Sequence, residues 1–326
     1  MTRRITTLCV LCVLCVLLRA APVAAQIPTG TAMPDRERTL KLAADELAAG
    51  RRDEAARLLR SAADRFQSVQ AMLQLARIQS GNGDAPGAFA SLERARTIAP
   101  NAEEVLSAFA QVSLAARLPF PAITTLDSLT RLCPTESQYH YLLGVALMQT
   151  GEMSLAVDSL KTANRLEPDH VLTLVALGLA LNNRKLYEEA RSFLARGVDL
   201  APDSTEAIAA LAEAEEGVGD VVTAEADARR ALARASADAT ANLVLGLVFM
   251  RNEKYEEARD AFQRTVAAAP DSFKGHYQLS LACARLGDTA CSERHLAIYK
   301  QKLHDMEERV QQLRTQTGLG SGEPRR

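Results

Sequence analysis

Tryptophan is missing from this 326-residue chain, and aromatic residues make up only 4% of it. Alanine and leucine dominate instead, which suits close-packed helices and speaks against strands of β-branched residues. One-sided charge is missing too: the net charge is -2, with acidic and basic residues interspersed. No basic field is present to hold a phosphate backbone, so nucleic acid is not an expected partner. Signatures of catalysis are equally scarce. There is no Gly-rich phosphate loop, no His-Glu-x-x-His and no Gly-x-Ser-x-Gly. The histidines His140, His170, His276, His295 and His304 are scattered, and acid pairs such as Glu215-Glu216 point in different directions on a helix. Neither a catalytic residue nor a cofactor is expected. Cys291 and His295, four apart and with Cys283 near, form the one arrangement suggestive of a metal. A structural zinc site takes four ligands and no fourth is evident, so no metal is expected.

Long apolar runs are scarce as well. The one that exists, Ile5 to Leu18, is 14 residues long, short of the roughly 20 that span a bilayer. Arg3 and Arg4 precede it and Val23-Ala24-Ala25 follows. Residues 1–25 are therefore expected to be a secretory signal cleaved near Ala25, with an uncleaved anchor as the alternative, and the chain to be periplasmic or secreted. Leucine precedes each of Cys9, Cys12 and Cys15, whereas lipid attachment wants a small residue there, so none is expected. Beyond the signal remain Cys133, Cys283 and Cys291, an odd number for an oxidising compartment. Cys283 and Cys291 either bridge across the turn Arg285-Leu286-Gly287-Asp288 or are two small core residues, a choice that Cβ geometry decides.

What the chain does have is a period. Pro100, Pro134, Pro168, Pro202 and Pro270 fall 34 residues apart, with Ser236 at the one vacant step. A strict period of this length means stacked supersecondary units, none of which buries its apolar face alone. With each proline at position 32, units begin at Val69, Glu103, Ser137, Val171, Thr205, Ala239 and Phe273, and an earlier one covers 36–68. Position 7 is always apolar: Leu75, Phe109, Leu143, Leu177, Leu211, Leu245, Leu279. Position 8 is always small: Ala76, Ala110, Gly144, Gly178, Ala212, Gly246, Ser280. Position 20 is Ala88, Ala122, Ala156, Ala190, Ala224 and Ala258, failing only at Ser292. Within a unit the apolar residues recur at helical spacing on both sides of a polar break, which predicts two antiparallel helices. Proline ends the second helix, and the Asp or Ser after it is expected to cap the next.

Leu245, Gly246, Phe249, Ala258, Phe262 and Pro270 together resemble the tetratricopeptide repeat. That resemblance implies an all-α, right-handed superhelical solenoid of about eight helix pairs over 36–306, binding protein or peptide partners in a concave groove. Around it the expected order is a disordered leader at 26–35, a helical extension at 307–316 and a disordered tail at 317–326.

Three departures carry expectations of their own. Unit 205–238 places Glu215 at the large-residue position 11 and Ala228 at position 24, predicting a thin core and a soft joint. Pro119-Phe120-Pro121 should stiffen its turn and shorten the helix entering it. Leu296, Tyr299, Leu303, Met306, Val310 and Leu313 are spaced 3 and 4 apart, which gives either a helix capping the stack or a seam for a homo-oligomer.

In solenoids of this kind the first-helix positions 2, 5, 6, 9, 12 and 13 line the groove. The candidates are Tyr141, Leu142, Val145 and Met148, then Leu172, Val175, Leu179, Asn182 and Asn183, then Glu213, and finally Leu243, Leu247 and Met250. Unit 205–238 makes this face small and acidic through Glu206, Glu213 and Glu216. Family members that grip a C-terminal carboxylate use Lys, Asn and Arg here. Position 5 reads Leu73, Ser107, Tyr141, Val175, Ala209, Leu243 and Tyr277, so that clamp is absent and a chaperone tail is not the expected ligand. An apolar groove with carboxylates in it suits an amphipathic or extended peptide carrying a basic residue. Burial of these residues against neighbouring units is the competing reading.

Overall fold

The computed structural model describes residues 35–316, and the side chains of 309, 310 and 313–316 lie outside it. The expected signal, most of the leader, the tail, and the side chains of Val310 and Leu313 therefore fall outside the described residues. Among the described residues there are sixteen helices and no strand. The chain divides between Leu58 and Leu59 into two compact units. The smaller holds α1 (Asp35–Ala48) and the start of α2 (Arg52–Phe66), joined by a turn in which Gly50 has φ 75°. Arg51 Nη2 donates to Glu46 Oε1 at 2.9 Å, tying that turn to α1.

The larger unit is an all-α repeat solenoid. After the rest of α2 come seven helix pairs: α3 (Val69–Gly81) with α4 (Ala85–Ile98), α5 (Glu103–Ala115) with α6 (Pro119–Leu132), α7 (Ser137–Thr150) with α8 (Met153–Leu166), α9 (Val171–Asn183) with α10 (Tyr187–Leu200), α11 (Thr205–Val218) with α12 (Val221–Arg234), α13 (Ala239–Arg251) with α14 (Tyr255–Ala268), and α15 (Phe273–Arg285) with α16 (Thr289–Gln316). Each first helix packs on its own second helix, and each second helix but the last packs on the next first helix.

The repeat positions explain the elements. Position 15 lies in the left-handed region in all seven pairs. It is Gly83, Gly151, Gly219 and Gly287 in four, and Arg117, Lys185 and Glu253 in the others. The αL turn is thus built into the fold, and three units hold a side chain there at some strain. Caps come from position 34: Ser204, Asp238 and Ser272 accept from the backbone N–H of Ala207, Ala241 and Gly275 at 3.3, 2.8 and 3.0 Å. The aspartate directly after the proline does something else. Asp203 pairs with Arg234 at 2.9 Å and Asp271 with Lys302 at 2.7 Å, each reaching the second helix of the following unit, as Asp169 does with Arg196.

Small residues at position 8 receive large ones at position 24. A Cβ on Gly144, Gly178 or Gly246 would collide with Leu160, Leu194 or Phe262. Those three side chains are fully buried and close the seam between the two helices of each pair.

Two expectations need correcting. Pro119 and Pro121 do not shorten the helix before them, since α5 has the same 13 residues as α9 and α13. Both prolines sit in the first turn of α6, where a fixed φ and a missing N–H cost nothing. Unit 205–238 is also not loosely packed. Ala207, Ala209, Ala210, Ala212 and Ala214 are all buried, and their small size lets α11 lie close against both α9 and α13.

Candidate binding groove

The first helices α7, α9 and α11 lie side by side and open a pocket of about 370 Å³ between them. Its floor and walls are Tyr141, Val145, Met148 and Gln149 from α7, and Val171, Leu172, Val175, Ala176 and Leu179 from α9; Ser204 and Glu206 close the α11 side. The local reason is the register. Positions 1, 2, 5 and 9 of α9 are Val171, Leu172, Val175 and Leu179, so one face of that helix is apolar, with Val175 buried and Val171 and Leu179 half-buried. Leu172 is 57% exposed. The Tyr141 ring stands edge-on to His170 with centroids 5.5 Å apart, which fixes the pocket wall. Burial, and secondarily the Glu206 carboxylate, push the Tyr141 hydroxyl above its usual range.

The remaining candidates divide. Leu142 is half-buried against the cluster around Leu143 and Leu147, outside the pocket. Asn183 is exposed at the helix end. Asn182 does not face the groove: it is buried, and its Nδ2 donates to the Ala210 carbonyl at 2.9 Å, a contact between units. Leu243 is likewise buried in the core with Phe262 and Leu279, and Leu247 and Met250 pack against the same cluster. The competing reading, burial against neighbours, therefore holds for the α13 part of the face. There Leu279, Ala282 and Cys283 of α15 pack into the same cluster.

Glu213 is not a free groove acid. Its carboxylate pairs with Lys274 of α15, reaching across the whole of α13. Glu216 accepts from Arg251 Nε at 2.7 Å. Glu215 is buried with Oε2 unpartnered. Desolvation, with Asp227 and Asp220 nearby, raises its carboxyl to about 7, against a lesser opposing pull from Arg191. Of the acids on this unit's first helix, Glu206 alone remains exposed without a cationic partner among the described residues. Pairing across 61 positions is not visible in a 34-residue register.

A second hollow lies between α8 and α10, lined by Asp158, Lys161, Thr162, Asn164, Arg165, Glu189 and Phe193. It is bridged by the Lys161–Glu189 pair at 2.6 Å.

At the end of the stack, Cys283 and Cys291 are joined in a disulfide with Cα atoms 5.8 Å apart, stapling α15 to α16. His276 Nδ1 and His295 Nδ1 lie 2.9 Å apart, and His276 Nε2 faces the Pro270 carbonyl at 3.2 Å. Burial first, then His276 and Arg294, lower the His295 ring. Among the described residues no group of three or more His, Cys, Asp or Glu is placed to hold a metal ion. The Tyr299 ring packs against those of Phe273 and Tyr277, tilted by 40° and 45°, with centroids 6.5 and 5.1 Å away. Cys133 is a free, half-buried thiol beside Glu103, which accepts from the Tyr139 hydroxyl at 2.6 Å.

Comparison with known proteins agrees with this architecture. A tetratricopeptide repeat protein from Parabacteroides merdae has a similar structure, with a TM-score of 0.58 and 16% identity over 76% of this chain and 98% of that one. The Cut9–Hcn1 hetero-tetramer of APC/C gives 0.56 and 18% identity over 74% and 48%. The human IFIT1 dimer with m7Gppp-AAAA gives 0.53 and 14% over 87% and 74%. At such identities the likeness is one of fold. No curated protein sequence matches. The tetratricopeptide repeat family profile matches residues 40–103, 141–205, 209–273 and 245–290, more than half of the sequence. The chain belongs to the tetratricopeptide repeat family.

Proposed function

We propose that this protein is an exported, non-enzymatic scaffold that binds a protein partner in the groove between α7, α9 and α11, in envelope assembly or complex organisation. The observation that carries the reading is the partly uncovered apolar face of α9 opposite Tyr141, Val145 and Met148. A volume of about 370 Å³ falls within the range of sites that take a ligand group, about 300–1,000 Å³. Fully burying one aliphatic or aromatic anchor there contributes about 1.5–3 kcal/mol. Export is supported by the sequence of residues 1–25 and by a disulfide, which persists in oxidising compartments.

Val145 and Leu179 are only partly buried, so Val145→Glu with Leu179→Glu places charge in the pocket without opening the core. The double variant is expected to lose at least 100-fold in affinity for the partner captured from envelope extracts, with its helical circular dichroism unchanged. Retained binding refutes the groove. Intact mass and N-terminal sequencing of the envelope-fraction protein test export: a start at Gln26 is expected, and a cytoplasmic full-length chain refutes it.

One observation favours a second reading, self-association. The Lys302–Asp271 pair marks where α15 begins, and α16 runs on beyond it; its 28 residues span about 42 Å against about 20 Å for the 13 of α15. Met306 on this overhang is 44% exposed. Light scattering of the chain truncated before Met306 separates the readings, because a self-associating protein becomes monomeric and a groove scaffold keeps its mass.

A further inference from the structure

α11 carries four carboxylates, and three of them are already paired or buried. Glu213 holds Lys274 of α15 and Glu216 holds Arg251 of α13. Glu215 is buried behind the helix. The fourth, Glu206, lines the apolar pocket, is exposed, and has no ion-pair partner among the described residues. The pocket lining contains no lysine, arginine or histidine, so the only formal charge a bound group meets there is negative. An uncompensated carboxylate against a low-dielectric apolar wall attracts positive charge more strongly than the same group in open water. The Lys274–Glu213 pair sets a limit at the other end. It joins α11 to α15, the first helices of the units on either side of α13, whose Leu243 is buried and Leu247 half-buried.

We infer that the segment recognised is a short one: an apolar residue seated among Val145, Leu172, Val175 and Leu179, with a lysine or arginine beside it on Glu206. The inference rests on the groove reading proposed above and adds to it the charge and the length of the ligand. Specificity for the cation sits on Glu206, while Glu213, although central in the register, is internal to the fold. An acidic neighbour to the anchor is rejected, because its carboxylate faces Glu206 with nothing between them to neutralise it.

The test is selection from a phage-displayed library of random nine-residue peptides on three immobilised proteins: wild type, Glu206→Lys, and Val145→Glu with Leu179→Glu. Wild type is expected to enrich peptides with an aliphatic or aromatic residue next to Lys or Arg. Synthesised, the best of these bind Glu206→Gln about three- to fivefold more weakly and Glu206→Lys about tenfold or more weakly, as a solvent-accessible ion pair allows. Glu206→Lys is expected to select acidic neighbours instead. If wild type and Glu206→Lys enrich peptides of the same charge, the inference is overturned and the groove stands. If the peptides bind the pocket double variant as well as wild type, or if none is enriched, the groove reading itself fails and takes the inference with it.

Discussion

Units 171–204 and 205–238 are neighbours with one register and two packing solutions. In the first, Gly178 at position 8 accepts Leu194 at position 24, and the wide apolar face of α9 is left partly open. In the second, Ala212 faces the small Ala228, and the missing volume is recovered by bringing α11 itself closer to α9 and α13. Of the seven pairs this is the one with a small residue at position 24; the units with Ala76 and Ala110 at position 8 keep Leu92 and Leu126 there. A repeat can thus keep its period while exchanging side-chain interlock for close helix contact. Groove opening does not follow this exchange: unit 239–272 has the Gly246–Phe262 interlock, yet its Leu243 is buried.

The contrast breaks most sharply at position 24. Leu194→Ala is expected to cost about 2–5 kcal/mol, and Ala228→Leu about 1–3 kcal/mol through overpacking, both read from urea unfolding. If Ala228→Leu stabilises instead, unit 205–238 contains unfilled space and the two solutions are not equivalent.

Next in size is Glu215. Its carboxyl is raised from 4.5 to about 7 in the folded protein, so the folded state keeps a proton that the unfolded chain has released. Its stabilising share is fully present below about pH 4.5 and is lost as pH rises through 7. Ionisation above that costs on the order of 2–3 kcal/mol. Glu215→Gln should therefore be more stable than wild type at pH 8.5, with a flatter profile between pH 5 and 8.5. Identical profiles would mean that Glu215 reaches solvent when charged.

Gly178→Ala should cost about 1–3 kcal/mol, because Leu194 must leave its rotamer to admit the Cβ. Ala212→Gly in the other unit should cost about 1 kcal/mol, the helix propensity difference alone. The smallest effect is expected at the cross-groove pair. Lys274→Ala should change stability by less than about 1 kcal/mol, and less still in high salt.

The fold was legible in the sequence to an unusual depth because stacked units make each residue's environment recur every 34 positions. Position 8 announces close helix contact, position 20 the buried alanine, and the proline the end of each second helix. The turn glycines were legible too, although Arg117, Lys185 and Glu253 hide the same αL position behind ordinary side chains. The groove was legible as a face. Which parts of that face remain open was not, because cover comes from neighbouring units: Val175 and Leu243 share position 5 and are equally buried, yet Val175 lines the pocket and Leu243 does not.

Period, helix pairing, caps and the apolar character of α9 follow from the sequence alone, since each depends on neighbours a few residues away or one repeat along. Three features needed the tertiary structure. They are the commitment of Glu213 to Lys274, the burial of Glu215 without a partner, and the burial of Asn182 against Ala210. All three depend on how far apart helices settle. That distance is set by the summed packing of several side chains, which no single position in a repeat encodes.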